Sequence, residues 1–184
     1  MNRITRIGAH NYRSLRDVSL DTGTLTVLVG PNGTGKSNII DAVQFLADAV
    51  KESLDFAIIK RNGMSALRFW SPKGRPYDVQ LDVDFSVEIL PPSGRRDGTP
   101  RQETAKYSVI LGSERRGEYK VKSEKLQVDG RPKPLLERHG TEVVRSGGNT
   151  SLVVPENALA LGRIPVSSSP HERQLHRFLI DTQR

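Results

Sequence analysis

The chain has 184 residues, a net charge of +7 from 28 Lys and Arg against 21 Asp and Glu, and no cysteine. That length suggests one domain, and without cysteine there are no disulfides and no thiolate sites. No apolar run approaches the roughly 18 residues of a membrane span, and MNRITRIGAHNYRSL lacks an apolar signal-peptide core, so a cytoplasmic protein with no membrane partner is the expectation.

Taken in order, Ile4, Ile7, Val18 and Leu20 fall in two predicted strands around NYRSLRD. Leu25, Val27 and Val29 then alternate with Thr24, Thr26 and Leu28, a pattern that predicts a short, largely buried strand. Ile39, Ile40, Val43, Leu46 and Val50 recur at helical spacing, so a helix is expected from about Gly35 to Glu52, with Lys51 suiting its C-terminal dipole. AIIKRNGMSALRFW fits neither period cleanly. YDVQLDVDFSVEIL alternates Val79, Leu81, Val83, Phe85, Val87 and Ile89, the pattern of a half-buried strand. AKYSVILG, GEYKVKS, EKLQVDG, TEVVRSG and TSLVVP are further strand candidates and suggest an antiparallel sheet with hairpins. HERQLHRFLIDTQR reads as a helix with Leu175, Phe178 and Leu179 on one face.

Between the predicted strand and helix lies Gly30-Pro31-Asn32-Gly33-Thr34-Gly35-Lys36-Ser37, which fits the phosphate-binding pattern G-x-x-x-x-G-K-[ST]. Each residue type has a physical role there. The glycines adopt backbone angles closed to other residues and leave room for a phosphate. The loop amides turn inward as an anion nest, and the helix start adds unpaired N–H groups and a positive dipole end. Lys36 reaches the β- and γ-phosphates, and the Ser37 hydroxyl is placed to ligate Mg²⁺. No Asn is followed by Lys, so the guanine-reading Asn-Lys-x-Asp motif is absent and ATP is favoured over GTP.

The element order, with NYRSL first and GPNGTGKSN about 30 residues in, resembles the N-terminal half of ABC-type ATPases of the SMC/RecF branch. These include double-strand-break repair ATPases and the RecF-like AAA ATPases of overcoming-lysogenization and antiphage systems. The resemblance implies an α/β (α+β) P-loop NTPase fold, with the phosphate-loop helix packed on a largely antiparallel, β-rich sheet. It makes residues 1–184 an N-terminal ATP-binding lobe that lacks its C-terminal lobe. Carried over by position, Arg13 contacts the nucleotide phosphates, with an exposed strand-end arginine as the plain alternative. Asn32, Gly33, Thr34, Gly35, Lys36, Ser37 and Asn38 wrap the triphosphate, and AIIKRNGM lies where such proteins approach the base.

The same resemblance shows what hydrolysis would still need: an apolar strand ending in Asp-Glu, a glutamine loop, a Ser-Gly-Gly at a helix start and a switch histidine. Arg145-Ser146-Gly147-Gly148-Asn149 contains Ser-Gly-Gly, but strand-like TSLVVP follows, so a hairpin turn is the better reading. Phe178-Leu179-Ile180-Asp181 is followed by Thr182 rather than Glu, and its helical spacing argues against a core strand. His10, His139, His171 and His176 form no metal set by spacing. The catalytic residues are thus unknown from sequence. The leading expectation is an ATPase completed by a C-terminal lobe of the same or a second chain, dimerising with ATP and acting in DNA repair or antiphage defence. A nucleotide-binding sensor or scaffold without turnover, and a small P-loop kinase, are the alternatives. DNA contact by this segment rests on charge alone, because Arg95, Arg96 and Arg101 in a Pro/Gly-rich loop, and Arg115 and Arg116 in a turn, are not interleaved with aromatics.

Overall fold

The computed structural model describes residues 3–71, 76–89, 101–112, 118–145 and 151–163. Eight strands form one antiparallel sheet: β1 (Arg3–Tyr12), β2 (Leu15–Asp21), β3 (Val79–Ile89), β4 (Arg101–Gly112), β5 (Lys120–Val128), β6 (Leu136–His139), β7 (Glu142–Arg145) and β8 (Ser151–Val153). Their order across the sheet is β2-β1-β3-β4-β5-β6-β7-β8, so every neighbour pair but β1–β3 is consecutive in the chain. Three helices, α1 (Lys36–Lys51), α2 (Leu54–Ile59) and α3 (Met64–Leu67), are inserted between β2 and β3. The expected α+β architecture, a phosphate-loop helix against an antiparallel sheet, is the one observed.

Period-two patterning builds the core. Val79, Leu81, Val83, Phe85 and Val87 of β3 all point to the buried face, as do Ala105, Tyr107, Val109 and Leu111 of β4. Each such valine, leucine or phenylalanine contributes about 1.5–3 kcal/mol when fully buried. The helix α1 lays Ala42, Phe45, Leu46, Ala49 and Val50 against this face. On β5 a bulge opposite Ile110 and Leu111 breaks the alternation, so that Val121 and Glu124, three apart, both turn inward.

The buried Glu124 carboxylate is satisfied on every side. It accepts from the Tyr107 hydroxyl at 2.9 Å and from the backbone N–H groups of Ala160 at 2.7 Å and Leu161 at 2.8 Å, with Arg138 at 3.6 Å. Arg138 in turn donates to the carbonyls of Gly140, Pro155 and Ala158. This polar core holds the segment after β8 on the sheet. A 3-10 turn at Leu161–Arg163 then brings Gly162 so close to Val50 that an added Cβ would stand 2.7 Å from the Val50 carbonyl oxygen. The far end of the sheet and the C-terminal end of α1 are thereby locked together.

Several sequence expectations change. GEYKVKS and EKLQVDG, expected as two strands, form the single strand β5. Arg101, expected in a loop, is the first residue of β4. Strand β6 in PLLERHG was not expected, and the ambiguous AIIKRNGMSALRFW becomes α2, α3 and a bridge from Arg68 to Tyr12. The largest change is at 24–29. This stretch is not a buried strand: no strand pairs with it among the described residues, and Leu25, Val27 and Val29 are 83%, 70% and 88% exposed. Alternation created the potential for a strand, and the fold here supplies neither a ladder partner nor an apolar face to use it. Arg95, Arg96, Arg115, Arg116, Ser146 to Asn149, His171, His176 and Asp181 lie outside the described residues. The strands that flank 146–150 do pair antiparallel, as a hairpin requires.

Candidate nucleotide site

The phosphate loop runs from the exposed 24–29 stretch into α1. Gly33 and Gly35 take left-handed backbone angles, φ 82° and 94°, and Gly35 is the residue that caps α1. Gly35 also has no room for a side chain, since a Cβ would lie 2.9 Å from Leu15 Cδ2 and 3.0 Å from Ser14 Oγ. The loop bonds to itself. Lys36 Nζ donates to the carbonyls of Gly30 at 2.7 Å and Pro31 at 2.5 Å, and Thr34 Oγ1 donates to the Pro31 carbonyl at 3.0 Å. The ammonium thus sits on carbonyl oxygens that a phosphate oxygen would replace as its counter-charge.

The turn between β1 and β2 braces the loop from below. Asn38, in the first turn of α1, donates to Ser14 Oγ at 2.8 Å. Arg13 takes a left-handed φ of 50°, and its backbone N–H donates to the Leu67 carbonyl at 2.7 Å. The first part of NYRS is equally tied down: Asn11 accepts from the Phe69 N–H and its side chain donates to the Asp78 carbonyl.

Behind the loop, one carboxylate gathers three groups. Asp41 Oδ2 accepts from the Tyr12 hydroxyl at 2.5 Å and lies 3.0 Å from Arg13 Nε, while Asp41 Oδ1 accepts from Arg61 Nε at 2.8 Å. Arg61 is only 5% exposed. It also donates to Asp48 Oδ2 at 2.8 Å and to the Ala57 carbonyl, and it covers the Phe45 ring at 5.3 Å. Lys60 closes the cluster on Asp48 at 3.0 Å. Burial raises the Tyr12 phenol far above its ordinary range, and the hydrogen bond and charge of Asp41 push it the same way, so it stays a donor. Burial alone would lower the Arg61 pKa, but its hydrogen bonds to Asp48 and Asp41 outweigh that and the net direction is up.

The sequence-predicted residues are therefore brought to one place: Asn32 to Asn38 at the start of α1, with Arg13 at the turn beneath it. Within AIIKRNGM, Lys60 and Arg61 pair with Asp41 and Asp48. Sequence reasoning missed Asp41, Asp48 and Arg61 as one network. Their helical spacing, with Asp41 and Asp48 two turns apart on α1, was the only available signal.

Residues 25–147 match the family described as "AAA domain, putative AbiEii toxin, Type IV TA system", and the chain belongs to that family. It is 41% identical over 89 residues to the OLD nuclease of Thermus scotoductus, covering 48% of this chain and 15% of that protein. It is 24% identical over 105 residues to the DNA replication and repair protein RecF of Lactobacillus johnsonii, covering 55% and 27%. A 24% match over 199 residues to the chromosome partition protein Smc of Mycoplasma genitalium covers 98% and 19%. The chain is an SMC/RecF-like ABC-type ATPase lobe within an ATP-binding ATPase family. It spans between 15% and 27% of the length of these three relatives. Such a family implies a nucleotide and usually Mg²⁺. The residues here fit that group: a glycine cradle, a lysine bonded only within its own loop among the described residues, and an Arg13 Nε buried without a hydrogen-bond acceptor. No helix among the described residues is long and apolar enough to cross a membrane.

Proposed function

We propose that residues 1–184 form the N-terminal ATP-binding lobe of an SMC/RecF-like ATPase, and that a C-terminal lobe of the same or a second chain completes the hydrolytic site. The observation that carries the reading is the glycine loop, ending in a left-handed Gly35 that caps α1, between the exposed apolar stretch 24–29 and the helix. Lys36 would leave the Gly30 and Pro31 carbonyls for the β- and γ-phosphates, the loop amides from Asn32 to Asn38 would surround the phosphate oxygens, and Ser37 would hold Mg²⁺, which would supply charge neutralisation on the phosphates. In this reading Leu25, Val27 and Val29 are the strand that the C-terminal lobe pairs with and buries, and that lobe also brings the acid that orients water and the groups that close over the γ-phosphate. The proposal extends to ATP-dependent dimerisation of the complete protein and to work on DNA, in repair or antiphage defence; similarity to a DNA replication and repair protein and a chromosome partition protein supports the DNA part.

Calorimetry with MgATP tests the binding step. Lys36→Ala should weaken affinity at least tenfold, about 1.4 kcal/mol. Equal binding by both forms would reject the reading. A sensor or scaffold without turnover remains the second reading. It is favoured by the engagement of Asp41 with Tyr12, Arg13 and Arg61, which leaves this carboxylate of α1 occupied rather than facing a water.

A further inference from the structure

Arg13 and Arg61 share Asp41 but are held very differently. Arg61 is buried, with three further supports in Asp48, the Ala57 carbonyl and the Phe45 ring. Arg13 is 32% exposed, and among the described residues its side chain has a single polar contact, the 3.0 Å approach of Nε to Asp41 Oδ2. That contact is an ion pair without a hydrogen bond: the Nε–H is buried yet aimed at no acceptor. The same Oδ2 already accepts from Tyr12 at 2.5 Å. The Arg13 backbone, in contrast, is fixed by its left-handed φ and the bond to Leu67, and its neighbour Ser14 touches Asn38 in the first turn of α1. The backbone is thus fixed beside the start of that helix, while the Nε–H of the guanidinium has no hydrogen bond to hold it.

Building on the nucleotide reading, we infer that Asp41 is a positioning residue that holds Arg13 on a releasable latch, from which the phosphates of the bound nucleotide take it. Two properties follow from the geometry. The latch competes with the ligand, since one guanidinium serves either the carboxylate or the phosphates. It is also selective, because Arg61 stays locked by Asp48 when Arg13 leaves. A phosphate ligand offers Arg13 the aligned, charge-assisted bonds that Asp41 does not.

The test is ATP affinity, measured in the presence of Mg²⁺, for the wild type, Asp41→Asn, Arg13→Ala and the double variant. Arg13→Ala should weaken binding roughly tenfold, the scale of one charge-assisted hydrogen bond. Asp41→Asn should tighten binding by about two- to fivefold, the scale of a partly exposed ion pair. The tightening should vanish in the Arg13→Ala background, which a merely structural or general charge effect would not do. A gain that persists without Arg13 overturns the latch, and so does a folded Asp41→Asn that binds no better than wild type. If Asp41→Asn fails to fold, the wild type decides by NMR of the arginine Nε–H signals. The Arg13 signal should shift on saturation with ATP and Mg²⁺ while that of Arg61 stays; an unmoved Arg13 signal overturns the latch. Wild-type protein that binds no ATP overturns the nucleotide reading and the latch together, and is recognised because the first titration is then flat.

Discussion

Strand β3 and the 24–29 stretch carry the same kind of sequence and reach opposite outcomes. In β3, Val79, Leu81, Val83, Phe85 and Val87 are at most 2% exposed, and both edges pair, with β1 on one side and β4 along eleven residues on the other. In 24–29, Leu25, Val27 and Val29 alternate just as regularly but stay in solvent. The comparison teaches that alternation encodes a capacity for burial, while burial itself belongs to whatever lies alongside. The sheet half of the molecule is knit by long ladders around the buried Glu124. The phosphate loop itself is held by its own carbonyls and by the contact of Asn38 with Ser14.

The largest expected effect lies at the joint between the two halves. Arg61→Ala would leave Asp48, itself 5% exposed, with Lys60 but without its buried guanidinium, and would free one side of Asp41. Breaking such a buried pair costs about 3–5 kcal/mol. Urea denaturation should show that loss; a loss near zero would mean that the end of α2 is held to α1 by apolar packing and the Lys60–Asp48 pair rather than by Arg61.

A matched pair sharpens the contrast directly. Val83→Thr puts a hydroxyl into the core with no partner provided and should cost about 1–3 kcal/mol. Val27→Thr makes the same change in solvent and should stay within about 0.5 kcal/mol. Equal costs at both sites would show that 24–29 is buried in solution and would remove the distinction between the halves.

A smaller effect reads the sheet by pH. Burial raises the Glu124 pKa above its ordinary 4.5, against the opposing hydrogen bonds from Ala160 and Leu161. The folded state therefore holds this proton more tightly than the unfolded chain. Its contribution is fully present below the ordinary value and is lost as pH rises through the folded one. Relative to Glu124→Gln, wild-type stability should decline as pH rises above about 4.5. A flat difference across that range would mean that its three donors and the nearby Arg138 hold the carboxylate ionised throughout.

Much of this was legible in the sequence wherever a local pattern decides the structure. The alternation in β3, the 3.6-residue recurrence in α1 and the spacing of Gly30, Gly35, Lys36 and Ser37 are all short-range signals, and α1 begins and ends within a residue of expectation. Strand β6 was invisible because Leu135 and Leu136 are adjacent and a proline precedes them, so no alternation shows. The merger of two expected strands into β5 reflects a bulge, which local pattern reads as a break. The network of Tyr12, Arg13, Asp41, Asp48 and Arg61 joins residues up to 49 positions apart, and nothing in a linear pattern pairs a given Arg with a given Asp. The 24–29 stretch was misread because alternation is a local signal, and among the described residues no strand lies alongside it.

Hydrogen exchange followed along the chain, with and without MgATP, tests the central claim most directly. The account predicts slow exchange in β3 and β4 at all times, fast exchange from Thr24 to Lys36 without nucleotide, and slowing on addition of MgATP confined to Asn32 to Asn38. Leu25 to Val29 should remain fast in this chain and slow only when the C-terminal lobe is supplied. Exchange at Leu25 to Val29 as slow as that of β3 in the isolated chain, or MgATP leaving Asn32 to Asn38 unchanged, would contradict it.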